Sequence, residues 1–370
     1  MSRIGVVFGG PSPEHDVSIL TGLQAARTLA DGGLAAAALY WTKTGDWHEV
    51  PVTAEAESFL EGLPRGAKAV ALRLGSDGGF VSEGALRRQP LDVDVVVNCC
   101  HGGPGEDGTL QGAFDLAGVR YTGPTAAGAL LGMDKLAFHD MLAAAGCPAL
   151  PRLALIGEAQ PPPFAPPYIV KPRFGGSSIG IHVVDDAATA MALLRSQPLL
   201  RDGAVIEPYR RDAVDLNISV RTHPELEVSA IERPLRPDGE GGGERIYSYA
   251  EKYLGGDGLD GARRELPAQL PPDIERRLVD AARQVAQISL VRSVARIDFL
   301  WAGEEVWVNE INTIPGAMAK YFWEERGISF FQQLRDMVDE ARSGRGRQFS
   351  VHGADGTALR SARAIADKLA

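Results

Sequence analysis

Apolar and polar positions alternate along this chain in two rhythms. "RIGVVFGG" (3–10) is a short apolar run closed by a glycine pair, the pattern of a buried strand entering a turn. "EHDVSILTGLQAARTLADGG" (14–33) follows at helical spacing and stops at Gly-Gly. "AAAALYWT" (35–42) and "DVDVVVNCC" (92–100) read as further strands, and "TLQGAFDLAG" (109–118) as a short helix. Strand, helix, strand, helix predicts a parallel α/β unit ending near Pro124. "DKLAFHDMLAAAGCP" (134–148) predicts a helix closed by Gly146 and Pro148.

The second half is more sheet-like. The proline-rich "AQPPPFAPP" (159–167) reads as a linker or loop. "YIVKPRFGGSSIGIHVV" (168–184) is a strand, a glycine-rich loop and a strand, and "GAVIEPY" and "VDLNISVRT" continue a sheet. "RPDGEGGGERIYSYAEKYLGGDGLDG" (236–261) is long, polar and glycine-rich, and a loop of that length in a compact domain suggests a lid. A helix near "PDIERRLVDAARQVAQISL" precedes two strands, "VARIDFLW" and "EVWVNEIN". The tail carries an amphipathic pattern at 358–369.

Composition narrows the classes. The 370 residues exceed one small core and predict two or three domains. With 45% hydrophobic and 23% charged residues the chain reads as a globular protein. A net charge of −10 argues against a nucleic-acid-binding surface, though not against a local basic pocket. No apolar run approaches the roughly 20 residues of a membrane helix, and the opening apolar run is short for a secretory signal. Three cysteines, two adjacent, form neither a disulfide framework nor a zinc pattern, so a reduced, cytoplasmic protein is expected.

The chemistry gathers in a few places. In "VNEINTIPG" (308–316), Glu310 and Asn312 lie two apart on a strand and share a face. Asp298 and Arg296 share a face in the preceding strand. If the two strands pair as a hairpin, Asp298, Glu310 and Asn312 converge as hard oxygen ligands, the kind Mg²⁺ takes. The bland alternative is a set of strand-end salt bridges. "KPRFGGSSIG" (171–180) sets Lys171 at a strand end before a turn rich in backbone and hydroxyl donors, a phosphate cradle or a plain hairpin. "GGPSPEHDVS" places Glu14 and His15 at the mouth of the first strand. A carboxylate there can hold an ammonium, while Ser12 can cap the helix. His101 ends a parallel strand, on the edge where such sheets bind ligands. "GGPGEDG" (102–108) matches a dinucleotide fingerprint. Glu106 and Asp107 would repel a pyrophosphate, however, and the ribose acid expected about 20 residues on is missing, so a dinucleotide oxidoreductase is disfavoured. A P-loop is absent.

Taken in order, "GGPSPEHDVS", "HGGPGEDGTLQG", "YTGP", "MDK", "VKPRFGGSSIG", "IEPY", "YAEKYL", "RIDF" and "NEINTIPG" resemble the D-alanine–D-alanine ligases of the ATP-grasp superfamily, over roughly residues 3 to 340. The resemblance implies a three-domain α/β ATP-grasp fold: an N-terminal domain (1–125), a central subdomain (126–208), a C-terminal subdomain (209–345) with the lid at 236–261, and a tail (346–370). It implies ATP and Mg²⁺, two ions with Mn²⁺ as a substitute, held by Asp298, Glu310 and Asn312. Lys135, Lys171, Ser178, Asn309 and, from the lid, Lys252 are implied around the nucleotide. Glu207, Pro208, Tyr209 and Arg210 are implied as the adenine hinge and Asp215 as the ribose contact. Glu14, Ser177 and Tyr253 match a hydrogen-bonded triad, with His15 and His101 beside the first amino acid. Arg296 and the Gly316 N–H match the oxyanion donors. The implied activity is ATP-dependent carboxylate–amine ligation through an acyl phosphate, and Tyr253 goes with amine rather than hydroxyl acceptors. The implied partners are small amino acids, with no nucleic acid or membrane, and a homodimer.

The match breaks after "NTIPG". The family continues with a Thr and then a Ser that holds the second carboxylate, but this chain reads Ala317 to Trp323, "AMAKYFW". Lys320 could pair with a carboxylate as a longer point charge, and Tyr321 could reshape the pocket. Two readings follow: a D-alanine–D-alanine ligase with a different solution here, or a relative from a specialised pathway that joins an amino acid to another acceptor. A catalytically inactive ATP-binding regulator is a third, disfavoured by the intact candidate positions.

Overall fold

The structure is a computed structural model that describes residues 2–84, 89–156, 162–235, 263–344, 346 and 349–362. Among the described residues, seventeen strands form three sheets. The first holds β1 (Arg3–Gly9), β2 (Ala36–Trp41), β3 (Trp47–Val50), β4 (Lys68–Arg73), β5 (Gly79–Ser82), β6 (Gln89–Pro90), β7 (Val93–Asn98) and β8 (Arg120–Tyr121), in the order β6-β5-β4-β3-β2-β1-β7-β8. Strands β2, β1, β7 and β8 run parallel, as the sequence predicts. The other half is an antiparallel meander from β2 through β6. Its short strands carry mixed burial, which is why no strong periodicity announces them. β1 is buried along nearly its whole length because it lies between two parallel neighbours and under helices.

Helix α1 (His15–Asp31) covers this sheet with Val17, Ile19, Leu23, Ala26 and Leu29. It is followed by α2 (Gly103–Glu106), α3 (Thr109–Ala117), α4 (Ala126–Met133) and α5 (Lys135–Ala144), the last capped by Asp134. The second sheet is antiparallel, order β11-β10-β12-β9, from β9 (Leu153–Leu155), β10 (Tyr168–Pro172), β11 (His182–Val184) and β12 (Ala204–Pro208). Helix α6 (Ala187–Ser196) packs on it through Ala190.

The third sheet is also antiparallel, order β15-β14-β13-β16-β17, from β13 (Val214–Arg221), β14 (Glu227–Pro234), β15 (Arg264–Glu265), β16 (Val294–Ala302) and β17 (Glu305–Asn312). Its residues divide between two faces. Leu216, Ile218, Val220, Ile297 and Phe299 pack under α7 (Pro272–Ile288) and against Phe138 and Leu142 of α5. The opposite face carries Asn217, Glu232, Arg296 and Asp298, which line a cavity.

One irregularity in β17 decides what that cavity contains. Phe299 pairs with Val308, but Asp298 pairs with Glu310, so Asn309 is an extra residue in the ladder. Val306 and Val308 lie in the core, and plain alternation would send Glu310 after them. The bulge reverses the phase: Ile311 enters the core, while Glu310 and Asn312 face the cavity beside Asn309. The sequence reading paired Glu310 with Asn312 correctly but not the bulge that turns them.

After β17 the chain returns to the first sheet. Helices α8 (Lys320–Glu324) and α9 (Phe330–Ser343) bury Phe322, Trp323, Phe330, Leu334, Met337, Val338 and Ala341 in the same cluster as β1 and α1. The apolar spacing of α9 is that of an amphipathic helix. The tail forms α10 (Thr357–Ala362); the expected helix beyond 362 and the lid at 236–261 fall outside the described residues. No described helix is long and apolar enough to cross a membrane.

Candidate active site

A cavity of about 280 Å³ lies where the three sheets meet, lined from the first by Glu14, His101 and Glu106 and from the glycine-rich loop by Ser177 and Ser178. The third sheet contributes Asp298, Asn309, Glu310 and Asn312.

The wall between the second and third sheets is held by a buried ionic network. Glu207, at the end of β12, accepts from Arg152 Nε at 2.8 Å and from Lys171 Nζ at 3.1 Å. Lys171 also donates to Asn309 Oδ1 at 3.1 Å, and Arg152 to the carbonyls of Lys135 at 2.8 Å and Asn309 at 2.9 Å. Burial alone would push the Glu207 carboxyl up; Lys171 and Arg152 outweigh it and hold it below the usual range. The Glu207 carboxylate is therefore engaged by this network, and Glu207, Pro208, Tyr209 and Arg210 line the cavity side by side. Arg210 stacks on Trp307 at 4.4 Å and pairs with Asp212. Asp215 lines the same end.

Lys135 sits at the N-terminus of α5, donates to the Gly175 carbonyl and lies 3.9 Å from Glu310. Burial lowers its pKa, and Glu310 opposes that shift. Ser177 and Ser178 both adopt left-handed backbone, φ 54 and 58, which folds the loop back on itself. Ser177 Oγ donates to Glu14 Oε1, joining segments 163 residues apart. Two members of the expected triad thus meet; Tyr253, like Lys252, lies outside the described residues.

Asp298 takes both prongs of Arg296, at 2.7 and 2.8 Å, and the Asn312 amide at 3.1 Å. Asp298, Glu310 and Asn312 form an oxygen-rich set across two paired strands beside two lysines, which fits a hard cation carrying a polyphosphate. Gly316 lines the cavity at the start of an unusual turn in which Ala317, Met318 and Ala319 all have left-handed backbone, φ 47, 53 and 52. Such backbone costs about 1–2 kcal/mol per residue, offset here by burial of all three and by the Met318 carbonyl accepting from Gln333 at 2.6 Å.

His101 lines the cavity. Its Nδ1–H donates to the Ile314 carbonyl at 2.8 Å and Nε2 meets the Thr21 hydroxyl at 2.9 Å; burial lowers its pKa and keeps it neutral. His15 and Lys320 are not brought to the cavity, which corrects both expectations. His15 turns into the first sheet, 2.6 Å from the Gly10 carbonyl and 3.1 Å from the Tyr40 hydroxyl. At the start of α8 it is Tyr321, not Lys320, that faces inward.

Sequence reasoning missed Arg152 and Glu106. Arg152 is a lone charge before a three-residue strand and carries no motif. Glu106 was weighed only as a repulsive group in "GGPGEDG". It accepts from the Gly102 N–H and the Ile314 N–H, each at 3.0 Å, and so ties α2 to the loop after β17. Burial first, and then Glu14, push its pKa up to about 7.

This arrangement is that of an ATP-grasp enzyme, a ligase class in which a nucleotide lies between two antiparallel sheets. Family models described as the D-ala D-ala ligase N-terminus and C-terminus match residues 3–124 and 162–339. The D-alanine–D-alanine ligase of Bradyrhizobium sp. (strain BTAi1) is 33% identical over 346 residues, covering 88% of this chain and 91% of the relative. Among solved structures, the VanG D-Ala:D-Ser ligase of Enterococcus faecalis superposes with a TM-score of 0.73 at 23% identity, covering 92% and 99% of the two chains. The D-alanyl-alanine synthetase A of Vibrio cholerae gives 0.76 at 22%, covering 93% and 100%. The chain belongs to the D-alanine–D-alanine ligase family.

Two predictions follow from the buried groups. Arg152→Ala strands Glu207 with only one cationic partner and should cost about 3–5 kcal/mol of stability, read by urea denaturation; a loss under about 1 kcal/mol would show the network to be dispensable. For Glu106 the folded pKa lies above the unfolded one, so its contribution is fully present below pH 4.5 and is lost as pH rises from there through about 7. Thermal unfolding from pH 5 to 8 should therefore show the native protein losing stability relative to Glu106→Gln; a constant difference would contradict the raised pKa.

Proposed function

We propose that this protein is a D-alanine–D-alanine ligase acting in peptidoglycan-precursor synthesis in the cytoplasm, with two small amino acids and ATP as substrates. The carrying observation is that a carboxylate–hydroxyl pair, an oxygen-donor trio and two buried lysines converge on one cavity. Glu14, oriented by Ser177, binds the ammonium of the first amino acid. Lys135 and Lys171 hold the nucleotide phosphates, and Pro208, Tyr209 and Arg210 take the adenine end with Asp215 near the ribose. Asp298, Glu310 and Asn312 hold two Mg²⁺ ions, for which Mn²⁺ can substitute; bound there, they neutralise charge on the transferring phosphoryl group.

A carboxylate oxygen of the first amino acid attacks the γ-phosphorus, and ADP leaves. The amine of the second attacks the acyl-phosphate carbonyl, Arg296 and the Gly316 N–H stabilise the oxyanion, phosphate leaves and the amide remains. The acyl phosphate hydrolyses in water, so closure by the 236–261 segment, with Lys252 and Tyr253, completes the reading. We propose the domain limits 1–125, 126–208 and 209–345, and a homodimer.

Product analysis decides the acceptor, since the similar structures include both a D-Ala:D-Ser ligase and a D-alanyl-alanine synthetase. Phosphate release with ATP, Mg²⁺ and D-alanine, with mass spectrometry of the product, tests the reading. We expect D-alanyl-D-alanine, with one phosphate per dipeptide. ATP binding without turnover on D-alanine would reject D-alanine as acceptor and favour the specialised-pathway alternative. Glu310→Gln should lower kcat by about a hundredfold or more, as loss of several kcal/mol of charge stabilisation requires; a change under about threefold would remove Glu310 from the metal set.

A further inference from the structure

The proposed places of the nucleotide and the first amino acid leave one end of the cavity over. Across the third sheet, Glu232, Asn217, Asp298 and Glu310 stand in register on β14, β13, β16 and β17. With strands about 4.8 Å apart, Glu232 lies roughly 10 Å from Asp298 along this rung. The metal-type oxygens occupy one end and a second cluster the other.

That second cluster is built, not incidental. Glu232 is buried and accepts from the Asn217 amide at 2.9 Å and from the Tyr321 hydroxyl at 3.2 Å. Arg264, on β15, lies with its guanidinium 3.9 Å from the Tyr321 ring centroid and its Nε 3.7 Å from Glu232. Burial, and next Glu232, raise the Tyr321 pKa, so the phenol stays a hydrogen-bond donor. The result is a rigid platform, Asn217–Glu232–Tyr321, with a cation laid flat on it at the cavity wall.

The second amino acid in the ligation proposed above brings a carboxylate that needs a cation. Lys320 does not line the cavity. Lys135 and Lys171 are committed to the phosphate end by Glu310, Glu207 and Asn309. Arg210 stacks on Trp307, and Arg296 is forked onto Asp298. Arg264 lines this wall with its guanidinium laid on the Tyr321 ring and beside Glu232, and a planar guanidinium suits two-point recognition of a carboxylate.

We propose that Arg264, held on the Tyr321–Glu232 platform, binds the carboxylate of the acceptor amino acid and selects acceptors that carry one. It is a specificity residue, and the inference rests on the ligase reading above.

The test compares the native enzyme, Arg264→Gln and Arg264→Lys with ATP, Mg²⁺ and saturating first amino acid. The acceptors are D-alanine, D-alaninamide and a panel of other amino acids with their carboxamides, with products read by mass spectrometry. Arg264→Gln should raise KM for the acceptor amino acid about 10- to 100-fold, the range set by losing a hydrogen bond to a charged group. KM for ATP and for the first amino acid should stay within about twofold. The native preference for the free acid over the carboxamide should disappear in Arg264→Gln and return in part in Arg264→Lys, which also guards against a folding defect. Equal rises in all three KM values, an unchanged acceptor KM, or a native enzyme that prefers carboxamides would overturn the proposal while leaving the ligase reading intact. Absence of ATP-dependent amide product with every amino acid would instead reject the ligase reading, and the proposal with it.

Discussion

The buried contact between Arg152, Glu207, Lys171 and the bulged Asn309 is the constraint on which the site depends. It is the place where the second and third sheets are fastened by charge rather than by apolar packing. Lys171 and Arg152 outweigh the burial of the Glu207 carboxyl, and Glu207 gives both buried cations a counter-charge. Asn309 can reach Lys171 because β17 carries one extra residue, and that same residue turns Glu310 and Asn312 out of the core. One backbone irregularity therefore places the inter-sheet tie and the metal-type oxygens together. A buried ionic network is a poor source of net stability compared with apolar packing. Its value here is geometric: it fixes Lys171 and the strand carrying Glu310 against the same carboxylate.

A second tie works by a different principle. The chain leaves the third sheet at Ile314 and packs α8 and α9 on the first. Glu106 bonds the Ile314 amide, His101 bonds the Ile314 carbonyl, and Ser177 reaches Glu14. The cavity is thus closed by hydrogen bonds from three segments far apart in sequence. The left-handed turn at 317–319 is the strained part of this arrangement, and it leads directly to Tyr321.

Much of this was legible in the sequence, for a physical reason. The parallel strands of the first sheet read as apolar runs, α7 carries strong amphipathic spacing, α1 and α5 are marked by their glycine stops, and Asp298, Glu310 and Asn312 could be grouped because alternation is a local property of a strand. The meander β3 to β6 was not legible, since short, half-exposed strands leave almost no pattern. Arg152 was hidden because its meaning lies in partners 17, 55 and 157 residues away. His15 and Lys320 misled because type and position name a residue as chemical without saying which way its helix turns it. Glu106 misled in the opposite sense: a carboxylate judged only by what it would repel is, in the fold, an acceptor for two amides.

The acceptor end shows why a departure from a motif need not mean loss of a function. The family resemblance puts a small hydroxyl in this segment to hold the second carboxylate. Tyr321 cannot do this; its hydroxyl is taken up by Glu232. What the larger ring supplies is a flat, buried surface, and a guanidinium lies on such a surface more readily than an ammonium does. The rung from Glu310 to Glu232 then has charges of alternating use along it. Oxygens for a cation stand at the Glu310 and Asp298 end, with Arg296 forked onto Asp298 from two residues back, and Arg264 lies beside Glu232 at the other end. Because β14, β13, β16 and β17 hold this rung in register by backbone hydrogen bonds, the spacing between the phosphoryl end and the acceptor end is a property of the sheet. Residues at the Glu232 end can therefore be exchanged without moving the Asp298 and Glu310 carboxylates at the other.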